Sequence, residues 1–317
     1  MSPRSRRFAA AVVAGVVLLG LGAGALWHFW LRRPSGDGPV GIPVAVSRFA
    51  QPWTAREVAL VALGDSVTAG FGAAPGRSYV ERLVANPPEE YADLRGICLR
   101  AVLPSLSVTN LAMSGSTSHQ CEKAQVPRLH RHAPQVLGLV VLTTGGNDLI
   151  HNYGRTPPVD GAMYGATWDR AQPWIQGFEA RLERILAGIR GAFPGGCHIF
   201  LANIYDPSDG TGNLRWVLMP PWPDGLKIHA AYNRILAAAD ERHPDVHLVD
   251  IHQPFLGHGL YCTQFWGANY RREDPHHWYL ENVEDPNDRG YDALRRLFLN
   301  AIADVLAPPV QGRRLAP

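Results

Sequence analysis

Five short apolar runs, separated by stretches of helical periodicity, restrict this chain to few folds. They are Val58–Leu63, Ser107–Ala112, Val136–Thr143, His198–Tyr205 and Val246–Ile251. Most are apolar at nearly every position rather than at alternate ones. That is the pattern of strands buried on both faces, hence of a parallel sheet. Between them, Phe178, Leu182, Ile185, Leu186 and Ile189 recur at helical spacing, as do Ile228, Tyr232, Ile235, Leu236 and Ala239. A last stripe, Leu294, Leu297, Phe298, Ile302 and Val305, follows Asn287 and Asp288, which are available as caps. Strands alternating with helices predict an α/β, doubly wound three-layer domain with a mainly parallel five-stranded sheet over residues 57–306. Sites in such sheets lie at the carboxyl ends of the strands.

The N-terminus carries a separate signal. Arg4, Arg6 and Arg7 precede residues 8–31, which have no formal charge and are long enough for the roughly 20-residue helix that crosses a bilayer. Trp27, Phe29 and Trp30 stand at its end, where an aromatic belt would lie, and Arg32-Arg33 follow. Ala23-Gly24-Ala25 also has the form of a signal-peptidase site. Residues 1–33 are therefore expected to be a membrane anchor or a signal peptide, and either reading puts the body outside the cytoplasm. Residues 34–56, rich in Pro, Gly and Ser, read as a linker, and 307–317 as a frayed tail.

Charge bears on partners. With the five arginines of residues 1–33 set aside, 25 basic residues face 28 acidic ones, and no basic patch of the kind nucleic acid requires is evident. Hydrophobic residues at 46% and charged residues at 18% allow a sizeable core. Four cysteines, Cys98, Cys121, Cys197 and Cys262, contain no Cys-x-x-Cys pair, which argues against a zinc cage. In an exported chain two disulfides are expected, Cys98–Cys121 and Cys197–Cys262, with four buried thiols as the alternative. Residues 206–213 are spaced like part of a calcium loop but lack its closing glutamate, and read as a turn. No metal or other cofactor is expected.

The chemistry sits at strand ends. Gly64-Asp65-Ser66 follows the first run directly; Asn110-Leu-Ala-Met-Ser-Gly115 follows the second; Gly145-Gly146-Asn147-Asp148 follows the third; and Asp274-Pro-His-His277 precedes the last helix. Together these blocks resemble the SGNH hydrolases, also called the GDSL esterase and lipase family, over residues 57–306. The resemblance implies a flavodoxin-like fold and a serine esterase acting through an acyl-enzyme, with Ser66 as nucleophile. It also implies an oxyanion hole built from the N–H of Ser66, the N–H of Gly115 and the side chain of Asn147. Histidine titrates in the range that suits a base for serine, and an acid three residues earlier holds its tautomer; Asp274 and His277 have this spacing. His276 is the neighbouring alternative, and His119 follows the Gly115 block.

One block departs from the family. Its usual order is Asp-x-x-His-Pro-Asn and then Gly-Tyr, whereas this chain reads Asn282-Val-Glu-Asp285-Pro-Asn287 and then Gly290-Tyr291. If Pro286-Asn287 sets the register, the histidine is missing. If Asp274 and His277 set it, eight residues are inserted before the helix. The second reading is the expectation, because the other catalytic blocks are intact.

Two aromatic-rich loops flank the expected site. Residues 150–175 hold Tyr153, Tyr164, Trp168 and Trp174 and form a lid, a pocket wall or a packed surface loop. Residues 211–224 hold Trp216 and Trp222. The expected substrate is a small-molecule or glycan ester. The alternatives are an O-acetyl esterase or acyltransferase on glycans, and a non-catalytic membrane-tethered binding protein.

Overall fold

The five apolar runs become five strands: β1 (Val58–Leu63), β2 (Leu106–Asn110), β3 (Leu137–Leu142), β4 (Cys197–Ala202) and β5 (Val246–Val249). In this computed structural model, which describes residues 3–150, 153 and 163–309, every strand pairing is parallel and the order is β2-β1-β3-β4-β5. β1 and β3 are buried at every position because helices cover both faces. β2 is exposed along most of its length, as an edge strand can be.

The helices are α1 (Pro3–Leu26), α2 (Ser66–Ala69), α3 (Tyr79–Val84), α4 (Leu99–Val102), α5 (Ser118–Gln120), α6 (Gly146–Ile150), α7 (Trp168–Ala192), α8 (Gly225–Arg242), α9 (His252–Phe255) and α10 (Asp288–Leu306). The stripes read from the sequence pack into two cores. α7 and α8 close one face of the sheet through Phe178, Leu182, Ile185, Ile228, Tyr232 and Leu236. α3 and α10 close the other through Tyr79, Leu83, Leu294, Phe298 and Ile302. This is the doubly wound architecture expected. Its strand order reverses between β1 and β3, so the crevice beyond their carboxyl ends is where a ligand site belongs.

Residues 34–56 are not a free linker. Val40, Phe49 and Trp53 are buried in the α10 side of the core. The extended backbone supplies carbonyls to the arginines of α10: Arg289 Nη1 donates to Gly38 at 2.9 Å and Arg296 Nη1 to Ile42 at 3.0 Å. The Val40 N–H in turn donates to Asp292 at 3.1 Å. Buried guanidinium groups need acceptors, and a Pro-rich segment with unpaired carbonyls provides them.

The four cysteines are free buried thiols rather than two disulfides. Burial pushes the Cys121 and Cys262 thiols up to about 12 and Cys197 to about 11, so they behave as small apolar side chains.

α1 continues into a π-helical turn, Trp27–Leu31. The stretch Arg7–Leu31 is long and apolar enough to cross a membrane, and its most apolar window is entirely unburied. Its end rests on the domain: Thr263 Oγ1 donates to the His28 carbonyl at 3.1 Å and Gln264 Nε2 to the Phe29 carbonyl at 3.0 Å. Phe29 packs against Trp266 at 4.7 Å between ring centres, and Trp30 against Trp216 at 6.2 Å.

Candidate active site

Ser66 opens α2 immediately beyond β1, at the point where the strand order reverses. The turn that presents it depends on Gly64. Its φ is +133°, and a Cβ there would lie 2.2 Å from the Thr143 carbonyl oxygen, so only glycine fits. Asp65 caps the helix by accepting from the Val67 N–H at 3.1 Å and also accepts from Thr143 Oγ1 at 2.7 Å. Burial pushes its carboxyl up to about 6. Thr68 bridges Thr143 and Tyr79 through its hydroxyl, at 2.8 and 2.7 Å. Asp65 is thus a structural member of the turn. Ser66 itself is half-buried, and among the described residues its hydroxyl forms no hydrogen bond.

The other two blocks are tied to this turn. Asn110 Nδ2 donates to the Thr68 carbonyl at 3.0 Å. Asn147 Nδ2 reaches the Ser116 carbonyl at 3.1 Å, which aims the amide towards the Gly115 segment. Gly115 has a φ of +77°, a conformation that side chains disfavour. Asp148, fully buried, accepts from the Ser118 N–H at 2.7 Å and receives Arg181 at 3.4 Å. Gln125 bonds both Gly64 and Ser116. Ser66, Gly115 and Asn147 therefore belong to three loops held in one hydrogen-bonded frame. Sequence reading missed Gln125 and Arg181, whose contacts span 61 and 33 residues and leave no local pattern.

Ser66 and Asn147 line a cavity together with the apolar and aromatic Leu149, Tyr153, Tyr164, Met219, Trp222 and Leu226 and the polar Asn203, Asp206 and Ser208. Tyr164 packs on Trp222 at 4.8 Å and donates to the Pro220 carbonyl at 2.7 Å, joining the two aromatic loops. Trp168 and Trp174 pack at the margin of the α7–α8 core, and Trp216 meets Trp30 instead. The lid expectation rests in part on residues 151, 152 and 154–162, outside the described residues.

The Asp274–His277 pair does not form. Asp274 divides its carboxylate between His276 Nδ1 and Arg289 Nη2, each at 2.5 Å. His277 is buried and hydrogen-bonds the Gly259 carbonyl through Nδ1 at 2.9 Å, while its Nε2 has no partner. Its N–H donates to the Pro34 carbonyl at 2.7 Å, and burial holds its imidazole down to about 4. Neither His276 nor His277 lines the cavity. The physical reason is the segment 34–56: it docks over this stretch and turns it into packing, with His276 against Gly36. His229 does line the cavity, but its Nε2 bonds the Ile204 carbonyl at 2.9 Å.

The Pro286-Asn287 block, by contrast, sits at the start of α10, beside α2. Asn287 caps α10 by accepting from the N–H groups of Arg289 and Gly290, both at 3.0 Å. Tyr291 donates to the Phe71 carbonyl just beyond α2, at 2.8 Å. Val283 and Glu284, immediately before, line the cavity with Ser66.

A doubly wound α/β domain of the flavodoxin-like type is what this fold defines. The sequence model of the GDSL-like lipase/acylhydrolase family matches residues 62–293. The chain belongs to that family and is an ester-hydrolysing enzyme. No curated protein matches it. Among solved structures it is similar to the lipase Lip_vut3 from a goat rumen metagenome, at 18% identity and a TM-score of 0.49, covering 77% of this chain and 97% of that one. An acetylxylan esterase from Geobacillus stearothermophilus gives 18% and 0.47, covering 78% and 94%. An extracellular lipase from Streptomyces rimosus gives 19% and 0.48, covering 77% and 99%.

Proposed function

We propose that the protein is a membrane-tethered, extracytoplasmic serine esterase in which Ser66 attacks a carboxylic ester and carries the acyl group. The observation that supports this most is the frame joining the Ser66, Gly115 and Asn147 loops at the strand-order reversal. In the proposed reaction the ester carbonyl oxygen turns towards the N–H groups of Ser66 and Gly115 and the amide of Asn147, which stabilise the tetrahedral oxyanion. The apolar lining residues Leu149, Tyr164, Met219 and Trp222 offer an acyl chain surface to bury against, beside the polar Asn203, Asp206 and Ser208.

The tether is the stretch Arg7–Leu31. The last residues of the stretch are held to the domain through the carbonyls of His28 and Phe29 and the ring of Phe29, which Thr263, Gln264 and Trp266 engage. Arg4 and Arg6 before the span and Arg7 at its start, against Arg32 and Arg33 after it, favour a cytoplasmic N-terminus.

The test compares full-length protein in membranes with Ser66→Ala on a series of nitrophenyl esters from acetate to dodecanoate. Hydrolysis that rises with chain length and disappears in Ser66→Ala is expected. Turnover by a folded Ser66→Ala protein sinks the nucleophile assignment. A preference for acetate, with release of acetate from acetylated glycans, favours the glycan O-acetyl esterase instead. Recovery of a protein beginning at Leu26 in the soluble fraction removes the anchor.

A further inference from the structure

The loop before α10 is built as if a catalytic residue stood at 285. Tyr279 and Pro286 form an antiparallel bridge, and the Leu280 N–H donates to the Asp285 carbonyl at 2.7 Å, so residues 279–286 fold back as a tight hairpin. At its tip Val283 has a φ of +56°. A β-branched residue in the left-handed region is strained, and such strain persists where the surroundings impose it. The Asn287 cap and the Tyr291 contact with Phe71 fasten the hairpin beside α2.

Within the hairpin, Asn282 Nδ2 donates to Asp285 Oδ2 at 2.7 Å. The two residues are three apart and stand immediately before Pro286-Asn287, so they occupy the acid and histidine places of the family order. Asp285 is 3% exposed, and its other oxygen, Oδ1, has no hydrogen-bond partner. An ionised carboxylate oxygen left bare in a buried site is costly and points to a proton or a ligand that completes it.

We propose that Asp285, positioned by Asn282, is the proton acceptor for Ser66, standing in for the family's histidine. The proposal rests on Ser66 being the nucleophile. Asp285 does not itself line the cavity, but its neighbours Val283 and Glu284 do; with no direct hydrogen bond between Oδ1 and the Ser66 hydroxyl, the proposed transfer passes through water. Ser66 loses its proton to that water, which passes one to Oδ1, as the Ser66 oxygen bonds the ester carbon. The proton returns through the same path to the leaving alcohol oxygen as the C–O bond breaks, leaving acyl-Ser66. A second water then attacks the acyl carbon and gives its proton to Asp285. That proton goes back to Ser66 as the acid departs, which restores the starting state.

The surroundings suit a proton acceptor. The titratable groups facing Asp285 are Asp65 beyond β1, Tyr205 beyond β4, Glu284 in the hairpin and Tyr291 on α10. Burial first, and the Asp285 charge second, pushes Glu284 up to about 7. Burial and the same charge also raise Tyr205 and Tyr291. Among the described residues no cation forms an ion pair with Asp285, and Asn282 is the side-chain partner of its carboxylate.

The test uses full-length protein and one ester on which Ser66→Ala is inactive. Asp285→Asn is expected to lower kcat/KM by about 100-fold or more with an unchanged melting temperature, the usual weight of a general base. Asn282→Asp combined with Asp285→His rebuilds the family order. It is expected to be active and to move the acid limb of the kcat/KM–pH profile, a readout that a structural role for either residue would not shift. His277→Gln is expected to stay near the parent rate. A folded Asp285→Asn enzyme at the parent rate overturns the proposal, as does loss of activity in folded His277→Gln. If Asp285→Asn fails to fold, the double variant decides, and an unmoved acid limb overturns it. An active Ser66→Ala protein would instead sink the underlying serine mechanism.

Discussion

Gln125 grips Gly64 by both its backbone groups: its Nε2 donates to the Gly64 carbonyl at 2.7 Å while its Oε1 accepts the Gly64 N–H at 2.8 Å. The same Nε2 reaches Ser116 Oγ at 2.9 Å. One fully buried amide therefore fixes the turn before Ser66 and the loop carrying Gly115.

Gln125→Ala should weaken both stability and catalysis. It strands a buried N–H, a loss of roughly 1–3 kcal/mol, and loosens the register between two of the proposed oxyanion donors. Urea unfolding should show the stability loss at unchanged m-value, and kcat should fall more than KM rises. Parent-like kcat in a destabilised protein would show that the clamp serves the fold alone.

Asn147→Ala tests the third donor. Losing one oxyanion donor costs about 100- to 1,000-fold in kcat. The side chain is half-buried and, among the described residues, hydrogen-bonds only the Ser116 carbonyl, so the melting temperature should fall little. Asn147→Asp, which keeps the shape without the donor, should be as poor. An Asn147→Asp enzyme at the parent rate would remove this residue from the hole.

The architecture was legible because its signals are local. Val58–Leu63 and Leu137–Leu142 are apolar throughout, and glycine-containing blocks mark the ends of both strands. What failed to show was long-range. Asp274 and His277 have the right spacing, yet spacing carries no information about the segment 34–56 that folds over them. That segment read as a linker because Pro and Gly dominate it; its contacts are carbonyls given to Arg289 and Arg296, some 250 residues away. Arg295 and Arg296 fall between the apolar positions of the last stripe, yet both are buried, where Glu90, Asp93 and Asp292 neutralise them. Asn282 and Asp285 were visible as a departure from the family order, and the hairpin that carries them makes them a candidate pair.

His277 gives a pH prediction of definite sign. Its folded pKa, about 4, lies below the ordinary 6.5 because burial disfavours the charged ring. Its contribution to stability is complete above pH 6.5 and is lost as pH falls towards 4, by roughly 3 kcal/mol in the limit. His277→Gln should lower stability at pH 7 and shrink the drop in melting temperature between pH 7 and pH 5. His258, also held down to about 4, keeps part of that drop in place. An identical drop in the variant would show that His277 is not buried as a neutral ring.

The aromatic face beside the span yields the last prediction. Phe265 and Trp266 are 65% and 50% exposed, and both pack on Phe29 at the end of the apolar helix. Aromatic rings of this kind favour the boundary between headgroups and acyl chains, where an apolar body can be buried and a polar edge stays wet. With Arg7–Leu31 in a bilayer, the domain should rest on the surface through these two rings. Phe265→Ser with Trp266→Ser should leave the protein in the membrane fraction, because the span is intact. Hydrolysis of a dissolved short-chain ester should be unchanged, since neither residue lines the cavity. Hydrolysis of an ester dispersed in vesicles should fall several-fold, because the cavity mouth no longer keeps a fixed height above the lipid. Bromine-labelled lipid should quench the parent's tryptophan fluorescence more than the variant's. Equal quenching and equal rates on both substrates would show that the domain stands clear of the membrane on its helix.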